Sequence, residues 1–290
     1  MGEQTASRSA VHVCQGRAVA HGRLAVGRFD DPTALALLLD AERPRVELGR
    51  GEVPPTAWSQ RLDARLIGLQ AESMAARTVA VDDAVRSGGN PQLVIVGAGL
   101  DGRAWRMAEL AGVDVFEVDH PASQEDKRAR AAGLRTTAGS LSFVPVDLAE
   151  APLGPALAAA GHREATPTTW VLEGLLPYLT RQEVATAVAA IAERSAPGSR
   201  LVVHYQLRSA GAAFGRLLAR GFLRLSGRED PMADEPRRSS WTREAVHAVL
   251  TDAGLEVTGD VALVSLADEL SLATRQLRTS GVAVALVPTG

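Results

Sequence analysis

The chain has 290 residues, 46% hydrophobic and 22% charged, with a formal net charge of −3. That suffices for one large α/β domain with an accessory region, and so small a charge gives no electrostatic reason to expect nucleic-acid binding. A lone cysteine, Cys14, excludes a disulfide framework and a cysteine-based zinc site. No apolar run approaches the length of a membrane span, and "MGEQTASRSAVHVCQG" lacks the apolar core of a signal peptide, so a cytoplasmic protein is expected.

Residues 1–20 read as a flexible tail around Cys14. "DPTALALLLDAER", from Asp31 to Arg43, has an acidic start, proline in its first turn and apolar helical spacing. "AWSQRLDARLIGLQAESMAARTVAVDDAVRSG" predicts one or two further helices stopped at Gly88–Gly89. Residues 21–90 are therefore expected to be a helical cap. From residue 91 the rhythm alternates: strands at "QLVIVG", "VDVFEVD", "LSFVPVD", "TTWVLEG" and "RLVVHYQL", with helices at "GRAWRMAELAG", "PASQEDKRARAAG" and "TRQEVATAVAAIAERSAPG". This is the βαβ pattern of a parallel sheet covered on both faces. Residues 207–241 interrupt it as an insertion expected to form a lid over the carboxyl edge of the sheet, where ligands bind. A helix from Thr242 to Ala253 follows, then strands at "LEVTGDVALVSL" and "GVAVALVP", with no comparable helix pattern between them. The expectation is a doubly wound, mostly parallel, seven-stranded sheet over residues 91–290.

The turn "VIVGAGLDGRAWRM" contains a GxGxxG at Gly97, Gly99 and Gly102. Such a strand-to-helix turn serves both dinucleotides and S-adenosylmethionine. Asp119 lies 20 residues past Gly99, the spacing at which a carboxylate receives ribose hydroxyls in either case. The next strand ends separate the two cofactors. Asp147 and Leu148 follow the third strand, and Glu173 ends the fourth. Carboxylates crowded along this rim suit an adenine amine and a cationic ammonium, and they repel a pyrophosphate.

"GAGLDGRAWR", "EVDHPASQ..K", "VPVDL" and "EGLLPYL", in this order, resemble the leucine carboxyl methyltransferase-like family of class I methyltransferases. "GRFDDPTALALL" and "ARTVAVDDAV" resemble its helical entry segment, so the likeness runs over roughly residues 20–205. The resemblance implies a Rossmann-like methyltransferase fold ending in an antiparallel hairpin. It implies S-adenosylmethionine as cofactor, with Arg77 on the methionine carboxylate, Gly97 and Gly99 at the close approach, and Asp119 on the ribose. It places Asp147 and Leu148 beside the adenine and Glu173 near the amino group, with Asp101 and Arg103 stabilising the turn. Gly102 departs from it, since relatives often carry Thr or Ala there, and is expected to loosen the first helical turn.

Bland readings stand beside these. Asp101 suits a helix N-cap; Arg103 and Arg106 suit pairing with surface carboxylates; Asp82 and Asp83 suit a solvated helix face. His120 reads as a turn residue, and His12, His21, His162 and His247 show no metal-ligand spacing. His204, at the carboxyl end of the fifth strand, reads either as a buried core residue or as the catalytic candidate. The expected activity is O-methylation of a small-molecule or peptide acceptor at a carboxylate, with no metal, nucleic-acid or membrane partner. The alternatives are hydroxyl methylation with His204 as base, a nicotinamide-dependent oxidoreductase, and a non-catalytic cofactor-binding protein. The oxidoreductase lacks support from a Tyr-x-x-x-Lys, because Lys127 has no tyrosine before it.

Overall fold

Apolar runs bounded by glycine and proline become the strands. In the computed structural model, which describes residues 7–147, 152–207, 238–273 and 280–289, β1 (Gln92–Val96), β2 (Asp114–Asp119), β3 (Ser140–Pro145), β4 (Thr168–Leu172) and β5 (Arg200–Gln206) run parallel. β6 (Glu256–Ala262) and β7 (Ser280–Leu286) finish the sheet, with order β3-β2-β1-β4-β5-β7-β6 and β7 antiparallel to both neighbours. The expected seven-stranded, mostly parallel sheet is present. Central β1 is buried throughout, with Val94 opposite Phe116 on one side and Trp170 on the other.

Helices α1 (Arg8–Ala20), α2 (Thr33–Ala36), α3 (Pro44–Arg50) and α4 (Trp58–Gly88) precede the sheet. α5 (Arg103–Arg106) and α6 (Pro121–Ala131) follow β1 and β2, and α7 (Leu153–Ala159), α8 (Arg181–Glu193), α9 (Arg243–Asp252) and α10 (Leu263–Glu269) follow later strands. Alternate residues of the strands feed two cores. Val94, Phe116, Trp170 and Leu201 pack with α7, α8 and α9, whereas Leu93, Ile95, Val115 and Val202 pack with α1, α4 and α10.

The structure corrects several expectations. Residues 8–20 are a helix rather than a tail. Ser7 caps it, its Oγ accepting the Ala10 N–H at 3.2 Å, and Cys14 is buried with Sγ donating to the Ala34 carbonyl at 3.1 Å. A Cβ at Gly16 would stand 2.8 Å from Met74 Cγ, so α1 crosses α4 this closely only through a glycine. The helix expected over Asp31–Arg43 shrinks to α2 and a 3-10 turn at Asp40–Glu42, while the segment that follows is a single helix of 31 residues. "GRAWRMAELAG" gives only one α-turn, because the Ala104 carbonyl accepts the Thr137 and Ala138 amides at 2.9 and 3.1 Å. Beyond β6, Leu263, Leu266 and Ala267 are buried at helical spacing, so "LVSL" starts α10 instead of extending a strand. Leu148 and most of the 207–241 insertion, residues 208–237, lie outside the described residues.

Candidate cofactor and active site

β1 ends at Val96, and the chain reverses through Gly97 (φ 71°) and Gly99 (φ 45°), conformations that L-residues rarely adopt. The turn is also roofed. A Cβ at Gly97 would meet Leu175 Cδ1 at 3.1 Å, and one at Gly99 would meet Ala10 Cβ of α1 at 3.0 Å. Its amides point inward: Gly97 and Ala98 donate to the Val118 carbonyl at 2.8 and 3.1 Å, and Gly99 donates to Asp119 Oδ2 at 2.6 Å. The other Asp119 oxygen accepts the His120 N–H at 2.7 Å.

The helix after the turn has a single turn with Gly102 as its N-cap, so Asp101, expected there, stands one residue earlier, its Oδ1 accepting the Arg103 N–H at 2.7 Å. A short helix start already met by a carboxylate has little to offer a phosphate. Gly102 has a packing reason in place of the loosening expected of it: a Cβ there would fall 2.2 Å from Thr33 Oγ1.

Behind the turn lies a chain of buried charges. Glu173 is paired by one oxygen to Arg77 Nε at 2.7 Å and by the other to Arg103 Nη2 at 2.8 Å. Arg103 also pairs with Asp101 and, at 2.8 Å, with Asp82 Oδ1. Asp82 holds Arg106 at 2.7 Å, and Asp31 pairs with Arg17 at 3.2 Å and Arg106 at 3.7 Å. Four arginines thus meet four carboxylates, and the set is neutral. This corrects the surface readings of Arg103, Arg106 and Asp82, all of which are buried; Asp83 alone is a half-exposed helix-face residue, paired with Arg28 and Arg86. Burial alone would raise the Glu173 carboxyl, but Arg103 and then Arg77, with a contribution from His204, hold it well below the usual carboxylate range. Asp101 is likewise lowered against its burial, chiefly by Arg103.

Arg77, Gly97, Gly99, Asp119 and Glu173 line one cavity of about 510 Å³, a size suited to a small-molecule ligand. Asp147 is not on that wall; its carboxylate lies 3.8 Å from His120 Nε2. His120 is the turn residue expected, with Nδ1 accepting the Ala122 N–H at the start of α6. His204 is buried on β5 and also off the wall. Sequence reasoning missed His12, Arg17, Gln70 and Met74 on the cap side, and Tyr178, Gln206 and Arg238 on the other. Gln70 and Met74 were findable, since they stand at helical spacing from Arg77 and share its face of α4. Burial, then Arg45, lowers the pKa of His12 to about 4.

The leucine carboxyl methyltransferase family model matches residues 10–192. The chain belongs to that family. A "putative S-adenosyl-L-methionine-dependent methyltransferase" of Mycobacterium sp. (strain JLS) is 33% identical over 253 residues, covering 82% of this chain and 83% of the relative. A protein of the same description from Streptomyces coelicolor is 44% identical over 152 residues, which are 51% of this chain and 53% of that one. The matched part thus spans about half the length of the Streptomyces relative. The crystal structure of a "putative methyltransferase" from Thermobifida fusca aligns with a TM-score of 0.57, covering 99% of this chain and 96% of that one at 16% identity. That likeness is one of fold. The family's ordered motifs therefore sit at the carboxyl edge of a sheet with matching architecture.

Proposed function

We propose that this chain is an S-adenosylmethionine-dependent O-methyltransferase whose acceptor oxygen belongs to a carboxylate. The observation that carries this reading is the inward-turned glycine turn. Its amides serve the Val118 carbonyl and Asp119, whereas a dinucleotide needs such amides for its pyrophosphate. Each Asp119 oxygen accepts one amide and keeps a lone pair for a ribose hydroxyl. Arg77 spends Nε on Glu173, which leaves its Nη donors for the methionine carboxylate, and Glu173 is an anion placed for the ammonium. Asp147, just past β3, is the adenine-side residue in this reading. When bound, S-adenosylmethionine supplies a methyl group on a sulfonium leaving group.

The protein's task is then alignment and exclusion of water. A carboxylate is already ionised near neutral pH and needs no base, unlike an aliphatic hydroxyl. The histidine among the described wall residues is His12, and a group with a pKa of about 4 is too weak a base to take a proton from an alcohol. His204 positions neighbours at most. Two measurements test the proposal. S-adenosylhomocysteine at about 100 times its Kd should stabilise the fold by roughly 2.7 kcal/mol, and NAD or NADP should not; stabilisation by NADP alone refutes the cofactor. The product should be a methyl ester that releases methanol in mild alkali. An alkali-stable methyl ether, with activity lost in His204→Ala and a rate rising through a pKa near 6.5, points to hydroxyl methylation with His204 as base.

A further inference from the structure

The cavity runs along the carboxyl edge of the sheet, from Asp119 closing β2, past Glu173 after β4, to Gln206 closing β5. On the reading proposed above, on which this inference rests, Asp119 marks the ribose and Glu173 the methionine. The acceptor then approaches from the β5 side, where Tyr178, Gln206 and Arg238 form the wall.

Among the described residues three arginines line the cavity, and two are committed. Arg17 is held by Asp31 and the Leu100 carbonyl, and Arg77 by Glu173. Arg238 differs in both exposure and partner. Its side chain is 46% exposed, and Nη1 pairs with Glu183 Oε2 at 2.8 Å. That same oxygen accepts the Thr180 N–H at 2.7 Å as part of the α8 cap, so Glu183 stays bonded if Arg238 leaves. An exposed pair of this kind contributes little and is readily exchanged.

The backbone beneath is fixed. The Arg238 N–H donates to the Pro177 carbonyl at 2.8 Å, Ser239 Oγ donates to the Leu176 carbonyl at 2.8 Å, and Trp241 Nε1 donates to Ser239 Oγ at 2.8 Å. The Arg181 guanidinium covers the Trp241 ring at 5.2 Å. A guanidinium on an anchored stem, at the acceptor end and with an exchangeable partner, is built to take a second anion.

We propose that Arg238 binds the acceptor's carboxylate, selecting monocarboxylic acids with an apolar body, which packs against Leu175 and Pro177, over the matching alcohols. One acceptor oxygen is held by the guanidinium while a lone pair of the other forms the new O–C bond. The C–S bond breaks and its electron pair stays on sulfur. Sulfonium and carboxylate charges cancel, no proton moves, and the neutral ester loses its hold on Arg238, which favours release.

The test titrates octanoate, octanol and methyl octanoate into the full chain saturated with S-adenosylhomocysteine, followed by calorimetry. Octanoate should bind at least about ten-fold more tightly than the other two, a ratio worth about 1.4 kcal/mol. Arg238→Gln should remove that preference, Arg238→Lys should restore part of it, and both variants should keep the wild-type affinity for S-adenosylhomocysteine and the wild-type melting temperature. Equal octanoate binding by wild type and Arg238→Gln overturns the proposal, as does octanol matching octanoate or no saturable octanoate binding. Failure of wild type to bind S-adenosylhomocysteine overturns the cofactor reading instead.

Discussion

At the Glu173 end of the cavity every charge has a buried partner: Arg77, Arg103, Asp82 and Asp101 lock one another in place. At the Arg238 end the cation is half in water, shares a capping carboxylate and rests on a strapped loop. The first arrangement cannot give up a member without stranding a charge in a dry interior. The second can trade partners at little cost. A site that must hold one fixed ligand and admit another that comes and goes gains from having both, and the contrast between them is open to experiment.

The largest effect should come from breaking the locked end. Arg103→Met leaves Asp82, Asp101 and Glu173 short of a buried partner, so we expect a loss of about 3–5 kcal/mol in urea unfolding. Arg238→Met should change stability by less than about 0.5 kcal/mol. Equal effects at the two positions would erase the distinction.

Next comes Asp119, which belongs to the cofactor and to the turn together. Asp119→Ala removes two charge-assisted acceptors, each worth about 1.5–3 kcal/mol. Affinity for S-adenosylhomocysteine should fall at least about ten-fold in calorimetry, with Asp119→Asn milder because one acceptor survives. Unchanged affinity would take Asp119 out of the site.

Acid should act on the cap and the sheet alike. Burial, then nearby arginines, lowers both His12 and His162 to about 4. Each is neutral in the folded protein while the unfolded chain takes up a proton near pH 6.5, so their contribution is complete above about pH 6.5 and is lost as pH falls toward about 4. His12→Leu should flatten the acid limb of a stability–pH curve by roughly 1–2 kcal/mol; an unaltered limb would show that His12 titrates normally.

The smallest effect should be at Asp83. Its pairs with Arg28 and Arg86 are half exposed, so Asp83→Ala should cost under about 0.5 kcal/mol, whereas the adjacent Asp82→Ala should behave like Arg103→Met. A melt of each variant checks both.

That neighbouring pair also shows where sequence reading stops. The strands, the glycine turn and Asp119 were legible because their signals are local: an apolar run, a spacing, a carboxylate at a strand end. Glu173 was legible in the same way, as a carboxylate ending the fourth strand, whereas Arg77 was reached through a family resemblance, since nothing local joins a residue on α4 to one after β4. Asp82 and Asp83 look alike in sequence, and only the placement of α4 against α5 separates a buried charge from a wet one. α1 was hidden because Gly16 and Arg17, poor signals of a packed helix, are what its crossing with α4 and its contact with Asp31 require. Arg238 falls within the 207–241 insertion, where no pattern announces that the chain has returned to the site.

The neutral chain of arginines and carboxylates has a consequence for synthesis. The helices bearing Arg17 and Arg77 leave the ribosome before the sheet does, yet Arg17 reaches a carbonyl 83 residues further on, and Arg77 needs Glu173 from the far side of β1. Contacts so distant along the chain cannot form until the later segment emerges, at a synthesis rate of about 5–20 residues per second. For several seconds, therefore, Arg77 has no Glu173 to meet and Arg17 no Leu100 carbonyl, although Asp31 is already at hand for Arg17. An isolated 1–90 fragment should show little protected amide exchange, and protection of α4 should appear only after nascent chains extend past β4.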